Sequence, residues 1–303
     1  MEDIIQPINK ELLIQELNEN RFLRSTRKGN NEIYTINAHN SPNLMQEIGR
    51  LREVTFRASG GGTGLPIDID EFDTSENCYQ QLIVWSPEDK EIIGGYRYIL
   101  CKNAIHANSI KLSTAHYFDF SQKFIDDYLP NTIELGRSWV QPNYQASVNP
   151  RKGLFALDNI WDGLGAVVNS NPTIEYFFGK VTMYPNYDKE ARDFLLHFMH
   201  HFFPDNENLM KPLTPLQQDC DKKRFNQILK DLDLKEGFKV LNSFVKERGE
   251  YVPPLVSIYM NLSPTMKTFG TAVNREFGDV EETGILVSLK DIYDEKKNRY
   301  MNY

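Results

Sequence analysis

The chain has 303 residues, of which 40% are hydrophobic and 25% charged, the proportions of an ordinary soluble globular protein. Its net charge of −8 gives the chain no general attraction for nucleic acid or an anionic membrane. Three scattered cysteines, an acidic start broken by Pro7 and the lack of a long apolar run argue against a disulfide framework, a secretory signal and a membrane span. We therefore expect a cytoplasmic protein. Peripheral contact with the inner membrane face stays open.

The spacing of apolar residues predicts helices and strands that alternate along the chain. In chain order the predicted elements are a helix over 9–23, a strand over 32–38, a helix from Ser41 onward, strands over 80–86 and 91–100, a helix near 121–129, a strand over 133–140, a helix over 153–170, a strand over 174–183, an almost wholly helical stretch over 188–249 and a last strand over 284–289. This interleaving predicts the α/β class.

Charged residues lie in three segments that otherwise look like protein core. Glu134 and Arg137 belong to the apolar strand segment ELGRSWV. Arg52 shares a helix face with Phe56, and Arg97 lies in the strand segment GGYRYIL. Charged side chains are seldom buried without a partner, so their presence in core strands suggests a functional site.

Four segments in a fixed order carry a family resemblance: LREVTF, DIDEFD, GGYRYIL and ELGRSWV. Over about residues 45–290 the chain resembles the acyl-carrier-protein-dependent N-acyltransferases, such as the ornithine-lipid N-acyltransferases, which are often labelled hemolysin-like. More distantly it is similar to the acyl-homoserine-lactone synthases. The resemblance implies a GNAT-like mixed β-sheet flanked by helices. It also implies one acyltransferase domain over 1–303, with a core at about 30–185 and 253–290 and a helical insertion at about 188–250.

The resemblance further implies that a long-chain fatty acyl group passes from acyl carrier protein to the α-amine of an amino acid, in the synthesis of an amino-acid lipid. The acyl-phosphopantetheine of the carrier, or acyl-CoA, would be the co-substrate, with no permanently bound cofactor and no metal. The partners would be the carrier protein and a small acceptor, with glycine, ornithine and serine all open. Two alternatives remain. One is a GNAT N-acyltransferase that uses acyl-CoA, and the other is a non-catalytic, lipid- or membrane-associated hemolysin-like protein.

Glu134 is the candidate general base, and the resemblance pairs it with Arg137 as catalytic. An amino-acid amine is mostly ammonium at neutral pH and must lose a proton before it attacks a thioester, and a partly buried carboxylate can take that proton. The alternative is a buried ion pair of Glu134 with Arg137 or Arg97 that only fixes strands. In a regular strand Glu134 and Arg137 point to opposite faces. A β-bulge permitted by Gly136 would bring both to one cleft and free a backbone N–H for the thioester oxygen.

The resemblance also implies a set of substrate-binding side chains. They are Arg52, Phe56, Asp70, Asp73, Arg97 and Ser138. The acidic members could recognise the acceptor ammonium and the arginines its carboxylate. The alternative is a structural clamp between a helix and a loop.

A basic helix start is the candidate cofactor-binding segment. Arg151, Lys152 and Gly153 precede an apolar helix, whose free N–H groups and dipole would favour the cofactor phosphate. The segment lacks the Gln/Arg-x-x-Gly-x-Gly/Ala pattern of acetyltransferases that bind the coenzyme A pyrophosphate. This departure favours a carrier-bound phosphopantetheine with a single phosphate.

Overall fold

The structure is a computed structural model that describes residues 1–106 and 109–301. Helices α1 to α10 span Lys10–Glu16, Pro42–Ala58, Glu71–Thr74, Pro150–Gly153, Ala156–Asn169, Lys189–Phe202, Lys222–Leu229, Leu234–Lys246, Pro254–Met260 and Asp294–Tyr300. Strands β1 to β12 span Phe22–Ser25, Glu32–Ile36, Gln80–Ser86, Glu91–Leu100, Ile105–His106, Ser109–Ile110, Phe118–Phe120, Thr132–Val140, Tyr176–Met183, Met210–Pro212, Lys267–Asn274 and Val280–Ser288. Helices flank a large sheet, which confirms the predicted α/β class and GNAT-like architecture.

Within the described residues, eight strands form one mixed sheet in the order β1-β2-β3-β4-β8-β9-β12-β11. Its neighbouring strands are antiparallel except β8 and β9, which run parallel. The parallel pairing joins 132–135 to 176–179 and then stops, although both strands continue. A gap therefore opens between the carboxyl ends of β8 and β9, and it is called the β8–β9 gap below.

The two faces of the sheet pack against different elements. On one face, the α5 face, Ile133 and Leu135 of β8 pack with Trp161 of α5. On the other, the α2 face, Trp139 of β8 packs with side chains of α1 and α2, and Phe178 of β9 packs with side chains of the 101–130 segment. Burial on both faces explains why β3, β4 and β8 are rich in apolar residues throughout rather than strictly alternating.

The structure corrects three of the predicted elements and contains strands that were not predicted. The helix predicted over 9–23 stops at the end of α1, because the chain becomes extended at Leu17 and then forms β1 at the sheet edge. The helix predicted near 121–129 is a π-helical turn over Phe124–Tyr128 followed by a 3-10 turn that contains Pro130. Strand β11 was missed, and β12 begins four residues before the predicted strand.

The 188–250 stretch is helical only in part. It contains α6, α7 and α8, but also strand β10, which pairs with β7. Helix α6 packs against α7 and α8 through a cluster of Phe194, Phe225 and Phe244. The division into a core and an insertion within one domain stays a prediction. No helix among the described residues is long and apolar enough to cross a membrane.

Candidate active site

A β-bulge interrupts β8 where the sequence predicts one. The register against β4 shifts after Gly136, where Arg137 and Ser138 together lie opposite one residue of β4. The left-handed backbone belongs to Arg137, with φ of 46°, rather than to Gly136. A non-glycine residue in this conformation is uncommon and costs of order 1 kcal/mol or more, so such positions often mark functional sites.

The bulge changes which face each side chain takes. Arg137 joins Glu134 on the α2 face, where it contacts Asp68. Ser138 points to the α5 face, where it hydrogen-bonds Tyr96. The predicted bulge is present and brings Glu134 and Arg137 to one side of the sheet, but only Arg137 lines the cavity described below, so the prediction that both reach one cleft is wrong. The two side chains also do not form an ion pair with each other.

A buried charge network connects α2, the 68–73 loop, β4 and β8. Arg52 is fully buried and lies 3.0 Å from both Asp68 and Asp73. Arg97 donates to Asp73 at 3.2 Å and to Asp70 at 2.6 Å. Arg137 lies 2.9 Å from Asp68, the aspartate that it shares with Arg52. These contacts match the structural clamp considered as an alternative above.

The electrostatics of the network favour its charged form. Burial alone raises the pKa of Asp68, but the guanidiniums of Arg137 and Arg52 outweigh burial and hold that pKa below its usual value. Asp73 behaves in the same way, because burial is outweighed by Arg52 and Arg97 and its pKa is depressed. Asp70 also caps α3, where its side chain accepts from the backbone N–H groups of Phe72 and Asp73. The acidic loop therefore organises the arginines and the chain around them.

Glu134 is buried and its two carboxylate oxygens are occupied. Tyr79 donates to one oxygen at 2.6 Å, while the hydroxyl of Ser113 and the backbone N–H of Thr114 donate to the other at 2.7 and 3.1 Å. Burial first, and then the neighbouring Glu134 charge, raise the pKa of Tyr79 well above its usual value, so its hydroxyl stays a donor. The ion pair of Glu134 with Arg137 or Arg97 considered above is not formed. The general-base role of Glu134 stays a prediction.

A cavity of about 270 Å³ occupies the β8–β9 gap and reaches both faces of the sheet. On the α5 face its lining is mainly apolar and aromatic: Tyr96, Leu135, Val140, Leu157, Pro253, Pro254, Leu255, Val256 and Tyr259. On the α2 face its lining is mainly charged and polar: Arg97, Ser113, Arg137, Lys180, Thr182 and Glu282, beside Phe56, Tyr184 and Phe277. The two ends of the cavity thus differ in chemistry, and Ser138 and the bulge backbone lie between them.

The cavity collects part of the predicted site. Of the predicted residues, Phe56, Arg97, Arg137 and Ser138 line it. Glu134 does not line it, but Ser113 does, and the Ser113 hydroxyl, which donates to Glu134, connects that carboxylate to the cavity. Arg52, Asp70 and Asp73 support the wall from behind rather than lining it. Their predicted substrate-binding role stays a prediction.

The predicted cofactor segment lies in the loop between β8 and α5. Asp89 lies 2.7 Å from the Lys152 ammonium, and that hydrogen bond lowers the pKa of Asp89. A Cβ on Gly153 would approach the backbone nitrogen of Ala146 to 2.4 Å, so glycine is needed here for close packing of the loop. Arg151 is exposed and makes no ion pair with a described residue. Lys152 and Gly153 therefore hold the loop together, and the predicted phosphate contact stays a prediction.

Sequence reasoning missed Lys180 and Glu282, which face the cavity from β9 and β12. The lysine lies in the strand predicted over 174–183, to which the sequence analysis assigned no functional role. The glutamate follows a second acidic residue, Glu281, in a segment from which only the later strand was predicted. A lone charge in an apolar strand segment, the signal used for Arg97, would have identified Lys180. Among the described residues, no group of three or more His, Cys, Asp or Glu could hold a metal ion.

The fold and the cavity define an acyltransferase of the GNAT type. The acetyltransferase (GNAT) domain family matches residues 51–151, which run from α2 through the bulge of β8 to α4. Two proteins named glycine N(alpha)-acyltransferase are similar along nearly the whole chain. The protein of Bacteroides thetaiotaomicron is 53% identical and that of Phocaeicola vulgatus 52%, with 99% of this chain and 90% and 93% of theirs covered. No solved structure matches.

The chain belongs to the family of these two proteins, and it is an N-acyltransferase. This finding removes the alternative of a non-catalytic protein. Enzymes of the GNAT type use an acyl-CoA-type thioester as co-substrate.

Proposed function

We propose that this enzyme transfers a long-chain fatty acyl group from the phosphopantetheine thioester of acyl carrier protein to the α-amine of glycine, as a step in amino-acid-lipid synthesis. The observation that carries the proposal is the cavity that crosses the sheet, with an apolar end and a charged end. An acyl thioester suits the apolar end and a zwitterionic amino acid suits the charged end. The two reactants would meet at the bulge of β8.

Glycine is proposed as the acceptor for two reasons. The names of both relatives specify it. The charged end of the cavity is also narrow, because Phe56 and Phe277 pack edge to face at 5.2 Å and the Arg137 guanidinium lies 4.2 Å above the Phe277 ring. An acceptor without a side chain suits an end of the cavity that is bounded by these bulky groups.

The carrier protein is proposed as the donor because of the loop between β8 and α5. Gly153 packs closely against the loop backbone, and Lys152 forms an ion pair with Asp89. Neither residue is therefore available to bind a pyrophosphate. The same loop exposes Val148, Arg151 and Leu154, with 62% and 64% of the two apolar residues accessible. A cation between two apolar side chains suits an acidic protein partner, and the resemblance implies such a carrier.

In the test, the purified enzyme is incubated with acyl-ACP or acyl-CoA that carry the same acyl group, and with glycine, serine, alanine or ornithine as acceptor. The products are identified by mass spectrometry. We expect N-acylglycine, formed faster from the carrier at equal donor concentration. Serine as the favoured acceptor would overturn the glycine assignment. Equal use of acyl-CoA would overturn the carrier assignment and leave a GNAT that uses acyl-CoA. The absence of any N-acyl amino acid would overturn the proposal as a whole.

A further inference from the structure

The charged end of the cavity contains an ion pair to which the proposed function assigns no role. Glu282 of β12 lies opposite Thr182 of β9, and Lys180 lies opposite Gly284, so the two charged residues are diagonal neighbours on the α2 face. The Lys180 ammonium lies 2.8 Å from Oε2 of Glu282. Glu282 is 4% exposed, and both side chains line the cavity. The pair is therefore buried in protein but open to whatever fills the cavity.

The hydrogen bonding of Glu282 is incomplete. Although the Lys180 ammonium is close, the contact lacks hydrogen-bond geometry, and Oε2 accepts no hydrogen bond from any described residue. Lys180 also lies 4.1 Å from the centre of the Tyr117 ring, so the cation is shared between the carboxylate and an aromatic face. Buried polar atoms normally have a partner. Oε2 has one close polar neighbour among the described residues, the Lys180 ammonium, and a carboxylate oxygen can accept more than one donor, so Glu282 keeps capacity to accept from a ligand in the cavity.

The surroundings of the pair match the two charges of an amino acid. Arg137 and Lys180 supply cations to the same cavity wall, and Glu282 supplies the anion. The neighbouring tyrosines Tyr117 and Tyr184 both lie within electrostatic range of Glu282 and of Arg137. In an amino acid the ammonium and the carboxylate are separated by one carbon, so an adjacent anion and cation can bind both at once.

We propose that Glu282 binds the ammonium of the acceptor and takes its proton, while Lys180 and Arg137 hold the acceptor carboxylate. This inference rests on the proposed function. One proton passes from the ammonium nitrogen to the Glu282 carboxylate and leaves to solvent after turnover. The free amine then bonds to the thioester carbonyl carbon, the carbon–sulfur bond breaks, and the second proton lost by the nitrogen ends on the released thiol. The products are the amide and the free thiol.

Glu282 is better placed for this role than Glu134. Three donors already occupy the oxygens of Glu134, which reaches the cavity only through Ser113. Glu282 lines the cavity itself and has an oxygen without a hydrogen bond. A general base must reach the proton directly or through one water, so the open carboxylate meets the geometric requirement more simply.

The experiment compares two acceptors that differ in the charge of the nucleophilic nitrogen. Glycine reacts only after it loses a proton, whereas the nitrogen of aminooxyacetate is uncharged at neutral pH and needs no base before attack. Glu282→Gln should lower kcat/KM for glycine by about 100-fold or more, the usual size for a lost general base. It should lower kcat/KM for aminooxyacetate far less. Glu282→Asp keeps the carboxylate, so the ratio of kcat/KM for glycine to that for aminooxyacetate should stay close to the ratio in the parent enzyme.

Glu281→Gln is the matched control, because Glu281 is also a buried carboxylate of β12 but pairs with Arg192 and does not line the cavity. It should leave the ratio of the two acceptors as in the parent. Equal losses on both acceptors in Glu282→Gln would overturn the inference, as would an acceptor-dependent loss in Glu134→Gln but not in Glu282→Gln. If Glu282→Gln does not fold, Glu282→Ala takes its place, and equal losses on both acceptors in that variant would overturn the inference, as would a loss in Glu282→Asp that falls on glycine as heavily as in the variant without a carboxylate. A parent enzyme that acylates no amino acid would instead overturn the proposed function.

Discussion

Two groups of buried charges lie on the α2 face of the sheet, on opposite sides of the β8–β9 gap. The clamp of Arg52, Asp68 and Asp73 is closed, since each aspartate contacts two guanidiniums. Arg97 lies beside the clamp and donates through Nη1, while its Nε has no hydrogen-bond partner among the described residues. The pair of Lys180 and Glu282 is open, because in the described part of the chain the carboxylate has a single cationic partner and both side chains line the cavity. Burial is common to both groups.

The difference shows that burial and charge together do not distinguish structure from chemistry. A closed network has its donors matched to acceptors, so its natural function is to hold elements together, and removing one member leaves buried charges without partners. An open pair in a cavity can exchange its partner for a ligand. The number of filled acceptor positions separates the two groups, and a sequence does not reveal that number.

The largest effect on stability is expected from breaking the closed network at its centre. Arg52→Met leaves Asp68 and Asp73 each short of a partner in a fully buried site, so we expect a loss of about 3–5 kcal/mol in the free energy of unfolding. Arg224→Met is the control, because the side chains of Arg224 and its partner Glu190 are about half exposed and the loss of an exposed pair should cost at most about 1 kcal/mol. Urea denaturation measures both. Equal losses would show that the network does not act as a clamp.

A second prediction concerns acid. The folded-state pKa of Asp73 is depressed, so its charge stabilises the fold above the unfolded-state pKa of about 3.9, and this contribution is lost as pH falls through the folded-state pKa. Asp73→Asn should therefore cost about 2–3 kcal/mol at neutral pH, and the difference from the parent should shrink steadily below about pH 4. Denaturation at a series of pH values measures this difference. A difference that stays constant would show that shape rather than charge is lost.

Much of the fold could be predicted from the sequence because local patterns determine it. The strands predicted over 80–86 and 91–100 have the bounds of β3 and β4, since their apolar and β-branched residues are flanked by a clear turn signal. The elements that could not be predicted are those that depend on pairing with residues distant in the sequence. Strand β1 exists because it pairs with β2 at the sheet edge, and the short β10 because it pairs with β7. Their own residues carry little strand signal.

The sequence could predict which charged residues belong to the site, but not which partners they contact. A guanidinium in a core strand is visible in the sequence, and Arg97 and Arg137, which the sequence analysis selected on this ground, both line the cavity. Their predicted roles stay predictions. The partner of Arg137 is Asp68, 69 positions away, rather than Glu134, and no local pattern could show this. The bulge was inferred from parity, whereas the left-handed residue was misplaced because glycine is the usual choice there.

The third prediction tests whether Glu134 belongs with the closed, structural charges or with the open ones. Glu134→Gln replaces one acceptor oxygen by a donor that faces either Tyr79 or Ser113, both of which now donate to it. We expect a loss of about 1–3 kcal/mol in unfolding free energy, from a buried polar group without a partner. Tyr79→Phe, which removes one donor, should cost about 1 kcal/mol. Thermal unfolding measures both, and a Glu134→Gln protein as stable as the parent would place Glu134 with the open groups.

The smallest effect is expected at the loop between β8 and α5, where a closed and an open cation are neighbours in sequence. Lys152 contacts Asp89 and lies 5.2 Å from the centre of the Tyr144 ring, whereas Arg151 is exposed without an ion pair among the described residues. Only the open cation is available to dock an acidic carrier protein, and complementary charge acts mainly on the association rate and is screened by salt. Arg151→Glu should therefore raise the apparent KM for acyl-ACP several-fold at low salt, with kcat unchanged and with little effect at high salt.

Lys152→Glu is the control, and it should mainly loosen the loop, which proteolysis would detect. Steady-state kinetics at two ionic strengths, with a pantetheine thioester as an uncharged donor, measures the contrast, and an equal rise in KM for both donors would show that Arg151 contacts the thioester arm rather than the carrier.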